Sequence, residues 1–309
     1  MEHVSVLREV VQKYLNLKEG EVVVDMTLGL GGHALDCLKK IGESGKLYAF
    51  EQDERNLEEA QKRLEAYESQ ITYVHDNFRY LKTRITGEVD AILFDLGISS
   101  VHVDEADRGF SFMNDGPLDM RYDLRSKLTA YEVINNYDEE ALANVIYEYG
   151  EERASRKIAK QIAQRRKEKK FETTSEFAEF LEKVLPRKRV GQKSKSHPAT
   201  KIFQAIRIEV NDELGALKDA LEGAMKVLKV GGRVVLISYH SLEDRIVKQF
   251  FKKLERPETT GEEAIYSNHG EPIVEPLTKK PVVPESAELQ TNPRSRSAKL
   301  RAYKKIKQY

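Results

Sequence analysis

The sequence predicts an α/β protein on a doubly wound, mostly parallel sheet with a helical insertion, and three observations carry that prediction. An apolar run, Val22-Val23-Val24, closes on Asp25 and passes into clustered glycines at Gly29-Leu30-Gly31-Gly32-His33. Such a strand, acid and turn open a nucleotide cradle, because missing Cβ atoms let the backbone approach a ligand. Strand-like runs then recur at the spacing of a βαβ array, and the gap between the fourth and fifth is far too long for a crossover.

The strands expected are Val22–Asp25, Leu47–Glu51, Ile71–Val74, Ala91–Asp95 and Val234–Tyr239. Between them lie helix-length stretches, Ala34–Ile41 and Glu54–Tyr67, the latter with Asp53 placed as its cap. After Asp95 the chain turns helical and basic: Glu139–Glu148, Glu152–Lys169 and Ser175–Val184 read as helices, the last entered through Thr174 or Ser175 and left at Pro186. The insertion is set at 109–204, between two parts of the sheet domain at 1–108 and 205–309. Asn211–Lys229 reads as the returning helix, ended by Gly231-Gly232. Arg256–Pro293 is expected to be loop with one edge strand, and Ser297–Tyr303 a final strand antiparallel beside the fifth, for seven strands in all.

At 309 residues the chain can bury a substantial core without staples. One cysteine, Cys37, excludes a disulfide framework and any cysteine-based metal cluster, and is expected as a buried thiol in a reducing cytoplasm. Met1-Glu2-His3-Val4-Ser5 lacks a basic segment followed by an apolar core, and no apolar run is long enough to span a bilayer. A soluble, cytoplasmic protein with no membrane partner is expected. Formal net charge is zero, yet Arg153–Arg207 holds seventeen Lys or Arg against five Glu, and Arg294–Lys307 seven basic residues against no acids. Segregation of that kind points to a surface facing a polyanion, since cations that neutralise phosphates release condensed counterions. The plain alternative is a solvated helix face.

The glycine spacing bears on the ligand. A dinucleotide fingerprint wants G-x-G-x-x-G, whereas this turn reads G-x-G-G, with Asp25 four residues before the first glycine. S-adenosylmethionine suits it better: it has no pyrophosphate, its amino acid end needs polar and backbone partners, and its ribose needs a carboxylate. Glu51 closes the second strand where an acid can accept both ribose hydroxyls, and Asp53 is the nearby competitor. Gly29, Gly31 and Gly32 complete the expected cofactor turn, and a tight turn without a ligand is the bland reading.

Ligands of open parallel sheets bind at the carboxyl ends of strands, so Asp95, ahead of Leu96-Gly97-Ile98-Ser99-Ser100, is the candidate acceptor for an exocyclic amine. It competes with a second role at the donor's amino acid end. Tyr239 and His240 follow the fifth strand and are expected to line the target pocket, with Ser241 capping the next helix. The irregular stretch 104–121 and the segment Ser196–Arg207 supply the expected substrate-binding residues: Arg108, Phe110, Phe112, Asp119, Arg121, His197 and Lys201. Phe110 and Phe112 stack on a withdrawn base or pin the loop to a core. His33, His197 and His240 share no ligand spacing, so no metal is expected.

The segments Gly29–His33, Asp95–Ser100, Arg108–Phe112, Asp115–Arg121, His197–Thr200, Ser241–Arg245 and Asn292–Ser297 together resemble the bacterial 16S ribosomal RNA cytosine-N4 methyltransferase family, MraW or methyltransferase H, from end to end and in the family's order. The resemblance implies a class I, Rossmann-like methyltransferase that uses S-adenosylmethionine to methylate N4 of a cytidine in the decoding region of 16S rRNA in the small ribosomal subunit. It also implies that Gly31, Gly32 and His33 meet the methionine end, Glu51 the ribose and Phe78 the adenine, with Asp95 and His102 in the cofactor pocket. Glu stands at 51 where many relatives have Asp, which keeps the carboxylate and lengthens its reach. The rivals are a DNA amino-methyltransferase, a non-catalytic RNA-binding assembly factor and, third, an NAD-dependent oxidoreductase. Whether the chain acts as a monomer or a homodimer is left open.

Overall fold

The computed structural model of the protein describes residues 5–185, 197–257 and 270–309. In chain order the elements begin with α1 (Arg8–Leu15), β1 (Val22–Asp25), α2 (Gly32–Ile41), β2 (Lys46–Phe50), α3 (Glu54–Leu64), β3 (Ile71–Val74), α4 (Leu81–Arg84) and β4 (Val89–Asp95). There follow α5 (Ser100–Asp104), α6 (Ala130–Asn136), α7 (Glu139–Glu148), α8 (Ser155–Glu168), α9 (Thr174–Val184) and α10 (Thr200–Asn211). The chain then forms α11 (Glu213–Val227), β5 (Leu228–Ser238), α12 (Ser241–Glu255), β6 (Val274–Pro276), α13 (Ser286–Thr291) and β7 (Lys299–Lys305). Two units result: Met1–Gly97 with Leu214–Tyr309, and Ile98–Glu213.

The first unit is a seven-stranded sheet in the order β3-β2-β1-β4-β5-β7-β6. β1 to β5 pair in parallel, while β7 runs antiparallel to β5, and β6 antiparallel to β7. This is the seven-stranded, mostly parallel architecture of a class I, Rossmann-like fold. Strand order reverses between β1 and β4, and the crevice at the carboxyl ends of the strands there is where open α/β sheets take ligands. Alternate residues feed two apolar layers: Val23, Leu93 and Val235 pack with α1, α2 and α3, while Val24, Ile92 and Val234 pack with α11 and α12. Both faces of the central strands are therefore buried, as their near-continuous apolar sequence requires.

The regular elements described in the second unit are helices, with Val133 and Ile134 of α6, Ile146 of α7, Ile162 of α8, Leu181 of α9 and Ile206 of α10 in one cluster. A buried reciprocal bond supports it: Asn135 Nδ2 donates to the Phe171 carbonyl and Oδ1 accepts from the Phe171 amide, both at 2.9 Å. The boundaries lie outside the expected 109–204, because a cut at 204 would sever the continuous helix α10. That helix stops at Asp212, whose left-handed φ of 45° also separates it from α11.

Several expectations are corrected. The Gly231-Gly232 pair does not end a helix; α11 stops at Val227, and the pair lies inside an eleven-residue β5. Gly231 takes φ 90° and the β4–β5 register slips between Val89 and Ala91, so the glycines build an irregularity in a strand. Helix α9 begins one residue early, capped by the Thr173 side chain, which accepts from the Glu176 amide. Helix α8 begins at Ser155 rather than Glu152. The expected exit of α9 at Pro186 lies outside the described residues. Edge strand β6 is present in the Arg256–Pro293 stretch, and α13 was not anticipated. Among the described residues no helix is long and apolar enough to cross a membrane.

Candidate active site

The turn after β1 is held on both sides, since Met26 N–H donates to the Leu93 carbonyl on β4 and Leu28 N–H to the Phe50 carbonyl on β2. Its glycines differ in purpose. A Cβ on Gly31 (φ 76°) would press on Leu64 at 3.1 Å, and one on Gly32 would run into Ser5 Oγ at 2.2 Å. Those two make room for α3 and for the chain's early residues, so a ligand would meet only their backbone. Gly29 (φ 51°) has nothing nearer its Cβ position than the Thr27 carbonyl at 3.9 Å and is the glycine that opens onto space.

Asp25 ends β1 almost fully buried. Its Oδ1 accepts from Thr27 N–H at 3.0 Å, but Oδ2 has no hydrogen-bond partner among the described residues. Burial, with a smaller push from Asp95, raises its pKa to about 7. Glu51, just past β2, folds back onto the turn: Oε2 accepts from Gly29 N–H, and Oε1 from the amides of Gln52 and Asp53, each at 2.9 Å. Desolvation raises its pKa to about 7 against those three donors. Asp53 caps α3 by accepting from Arg55 N–H.

At the end of β4, Asp95 N–H donates to Thr27 Oγ1 at 2.7 Å, and the Tyr239 hydroxyl donates to Asp95 Oδ1 at 2.7 Å. The buried His33 ring brings Nε2 to 3.7 Å from Asp95 Oδ2. Burial, together with Asp95, holds the Tyr239 phenol well above the ordinary tyrosine range. Phe78 sits on a short turn after β3, edge-on to Phe94 with centroids 6.2 Å apart, and Asn77 at the start of that turn donates to Gln52 Oε1. His240, not Ser241, caps α12. Its Nδ1 accepts from Glu243 N–H, and Glu243 Oε2 accepts from the amides of Tyr239 and His240.

Asp25, Glu51, Asp95, His33 and Tyr239 are thus gathered at strand ends on one edge of the sheet. Two carboxylates with raised pKa values, one carrying an unpartnered buried oxygen, make a site whose electrostatics favour a cation. S-adenosylmethionine carries a sulfonium and an ammonium, so these residues fit it. Thr27, Gly97 and Glu243 belong to this edge and were not singled out from sequence. Thr27, two residues after the strand-ending acid, had the plainest signal.

The helical unit holds the remaining candidates. Arg108 is buried, and its guanidinium donates to the Arg121 carbonyl at 2.8 Å. Phe110 stacks on Tyr122 (centroids 5.1 Å apart, 18° between planes), and His102 packs on both. Phe112 lies against His197 and Phe203. These rings pack their loop against the helical cluster. Arg121 holds Asp119 through two nitrogens, at 2.9 and 2.6 Å, and reaches the Leu124 and Ser126 carbonyls. His197 Nε2 lies 2.6 Å from Glu182 Oε1, and exposed Lys201 reaches the Glu151 carbonyl at 3.5 Å.

The basic surface divides in the same way. Arg166 is half-buried and donates to the carbonyls of Ile134 and Tyr137, and Arg165 pairs with Glu176 at 3.0 Å. Lys157, Lys160 and Lys167 stand exposed on α8, away from the buried Ile158, Ala159 and Ile162. The basic residues within 186–196 lie outside the described residues.

A sequence model described as the MraW methylase family matches residues 1–306. The ribosomal RNA small subunit methyltransferase H of Streptococcus pyogenes serotype M4 (strain MGAS10750) is 45% identical over 311 residues, covering 99% of this chain and 98% of that protein. Among solved structures, an rRNA methylase from Streptococcus thermophilus aligns over 99% of this chain and 100% of its own, at 11% identity and a TM-score of 0.45. A SAM-dependent O-methyltransferase from Thermotoga maritima aligns over 100% of this chain and 69% of its own, at 10% identity and a TM-score of 0.43. Structural likeness at that level bears on neither ligand nor activity.

Proposed function

The chain belongs to the MraW methylase family, and from that premise we propose that it methylates N4 of a cytidine in the decoding region of 16S rRNA, with S-adenosylmethionine as donor. The observation that carries the reading is the set of under-neutralised acids at the strand ends: Asp25 with its unpartnered Oδ2, Glu51, and Asp95 bridged to Tyr239. The small-subunit rRNA methyltransferase that shares 45% identity over nearly the whole chain supports the RNA substrate.

When bound, the donor supplies an electrophilic methyl group on a sulfonium. Glu51 would hold its ribose through Oε2, because Oε1 already accepts two backbone amides. Gly29 leaves space at the turn, the Gly31 and Gly32 backbone and His33 would meet the amino acid end, and Phe78 would pack on the adenine. Asp95 would accept an N–H of the target amine. That nitrogen is a poor nucleophile, since its lone pair is delocalised into the ring, so holding it in line and drawing on its proton are the available sources of rate. Arg108, Phe110, Phe112, Asp119 and Arg121 would shape the substrate loop, and Lys201 with the α8 lysines would meet phosphates.

Incubation of the protein with labelled donor and small subunits lacking the modification is expected to yield N4-methylcytidine on nucleoside mass spectrometry. Label on another base, on DNA cytosine instead, or nowhere would overturn the assignment.

A further inference from the structure

We propose that Tyr239 is a positioning residue for methyl transfer: by donating its hydroxyl to Asp95 Oδ1 it fixes that carboxylate so that Oδ2 receives the amine's N–H. The inference rests on the cytidine-methylation reading above.

Both ends of the bridge are clamped. On the Asp95 side, the backbone amide is held by Thr27 Oγ1 at 2.7 Å, and the next amide, Leu96 N–H, donates to the Ile237 carbonyl on β5 at 3.0 Å. On the Tyr239 side, the backbone amide donates to Glu243 Oε2 at 2.8 Å, and Glu243 is itself buried in the capping box with His240. The ring lies in a slot that exists because residue 97 is glycine, since a Cβ there would come within 2.7 Å of Tyr239 Cε2. Burying a phenol against a carboxylate desolvates two polar groups, and a phenylalanine would fill the slot without that demand. The arrangement makes sense if the orientation of the carboxylate matters.

The step balances with the phenol as a spectator. The nitrogen lone pair forms the new N–C bond while the C–S pair leaves with sulfur, and the surplus proton passes from nitrogen to Asp95 Oδ2 and on to water. Tyr239 neither gains nor loses a proton. The groups facing Asp95 are Asp25 from β1, Thr27 from the turn, His33 from α2 and Tyr239 after β5; Glu243 and Glu288 bear on the phenol.

The test is Tyr239→Phe in the full chain, with S-adenosylmethionine and unmodified small subunits. The expected result is a kcat lower by about 10- to 100-fold, with KM for subunits and the calorimetric Kd for the donor within about twofold of wild type. The loss is expected in kcat alone, because a group that orients the acceptor without touching donor or RNA leaves both affinities in place. An unchanged kcat, or a kcat loss matched by a comparable fall in donor affinity and in melting temperature, would overturn the proposal and leave the phenol a packing group. If Tyr239→Phe does not fold, Gly97→Ala displaces the ring from the other side. The same kcat loss at unchanged KM and donor Kd would support the proposal, and a wild-type kcat would overturn it. Failure of the underlying reading is distinguishable, since wild-type protein would then make no N4-methylcytidine.

Discussion

The sheet unit and the helical unit treat their charges in opposite ways. In the sheet unit, Asp25 and Glu51 are acids held by backbone amides, with no side-chain cation against either among the described residues, and burial raises both pKa values to about 7. In the helical unit the half-buried cations are held: Arg166 by carbonyls, Arg121 by Asp119, Arg165 by Glu176. Charge left unbalanced inside a fold points to a ligand of the opposite sign, whereas charge already balanced points to architecture. By that criterion the proposed reading sets a cation against the strand-end acids and a polyanion against the exposed lysines of α8.

The comparison can be broken at several points. The largest effect is expected from Asp95→Asn, with kcat lower by about 10²- to 10⁴-fold and RNA affinity unchanged; a loss of RNA affinity of similar size would erase the division between the units. Next is Glu51→Ala, which should weaken the donor by roughly 10- to 100-fold, read by calorimetry, with RNA binding intact. Part of that loss comes from freeing the Gly29 amide, so Glu51→Gln, which keeps an acceptor, should lose less.

A smaller effect sharpens the other side. Replacing Lys157, Lys160 and Lys167 with Gln should lower RNA affinity and flatten its logarithmic salt slope by about 2, whereas Arg166→Gln should leave the slope alone and reduce stability by roughly 1 to 3 kcal/mol through two orphaned carbonyls. If Arg166→Gln changes the slope as much as the lysine set does, the distinction between balanced and offered charge is wrong.

The parallel strands were readable because apolar runs closing on an acid have few alternatives: β1 and β3 match their expected limits. Helix α7 was equally plain, with Asp138 capping an acidic first turn. Gly231-Gly232 misled because a glycine pair after an apolar helix is the usual stop signal, and only the neighbouring β4 reveals that it serves a strand. The cap of α12 was misassigned because serine is the commoner cap, while His240 takes that role only with buried Glu243 beside it. Glu51 and Asp95 were legible as acids at strand ends, because each closes an apolar run. The bond between Asp95 and Tyr239, 144 residues apart, was not, because it depends on how the strands pair. The separation of Arg166 from Lys167 was beyond sequence for a similar reason: adjacent cations differ only in what packs around them.

The central claim, that the strand-end acids receive a cationic donor, is tested most directly by calorimetric titration with S-adenosylmethionine across pH 6 to 8. With Asp25 and Glu51 at about 7 in the free protein, a cation favours their ionised forms and lowers both pKa values, so binding releases protons below that pH. Raised acid pKa values also mean that the fold loses stability as pH rises from about 4 toward 7, and donor binding offsets that loss. The account predicts affinity that rises through pH 7 and levels off above it, with proton release detected from buffers of different ionisation enthalpy. Affinity that is flat or falls over that range, with no proton released, would contradict it.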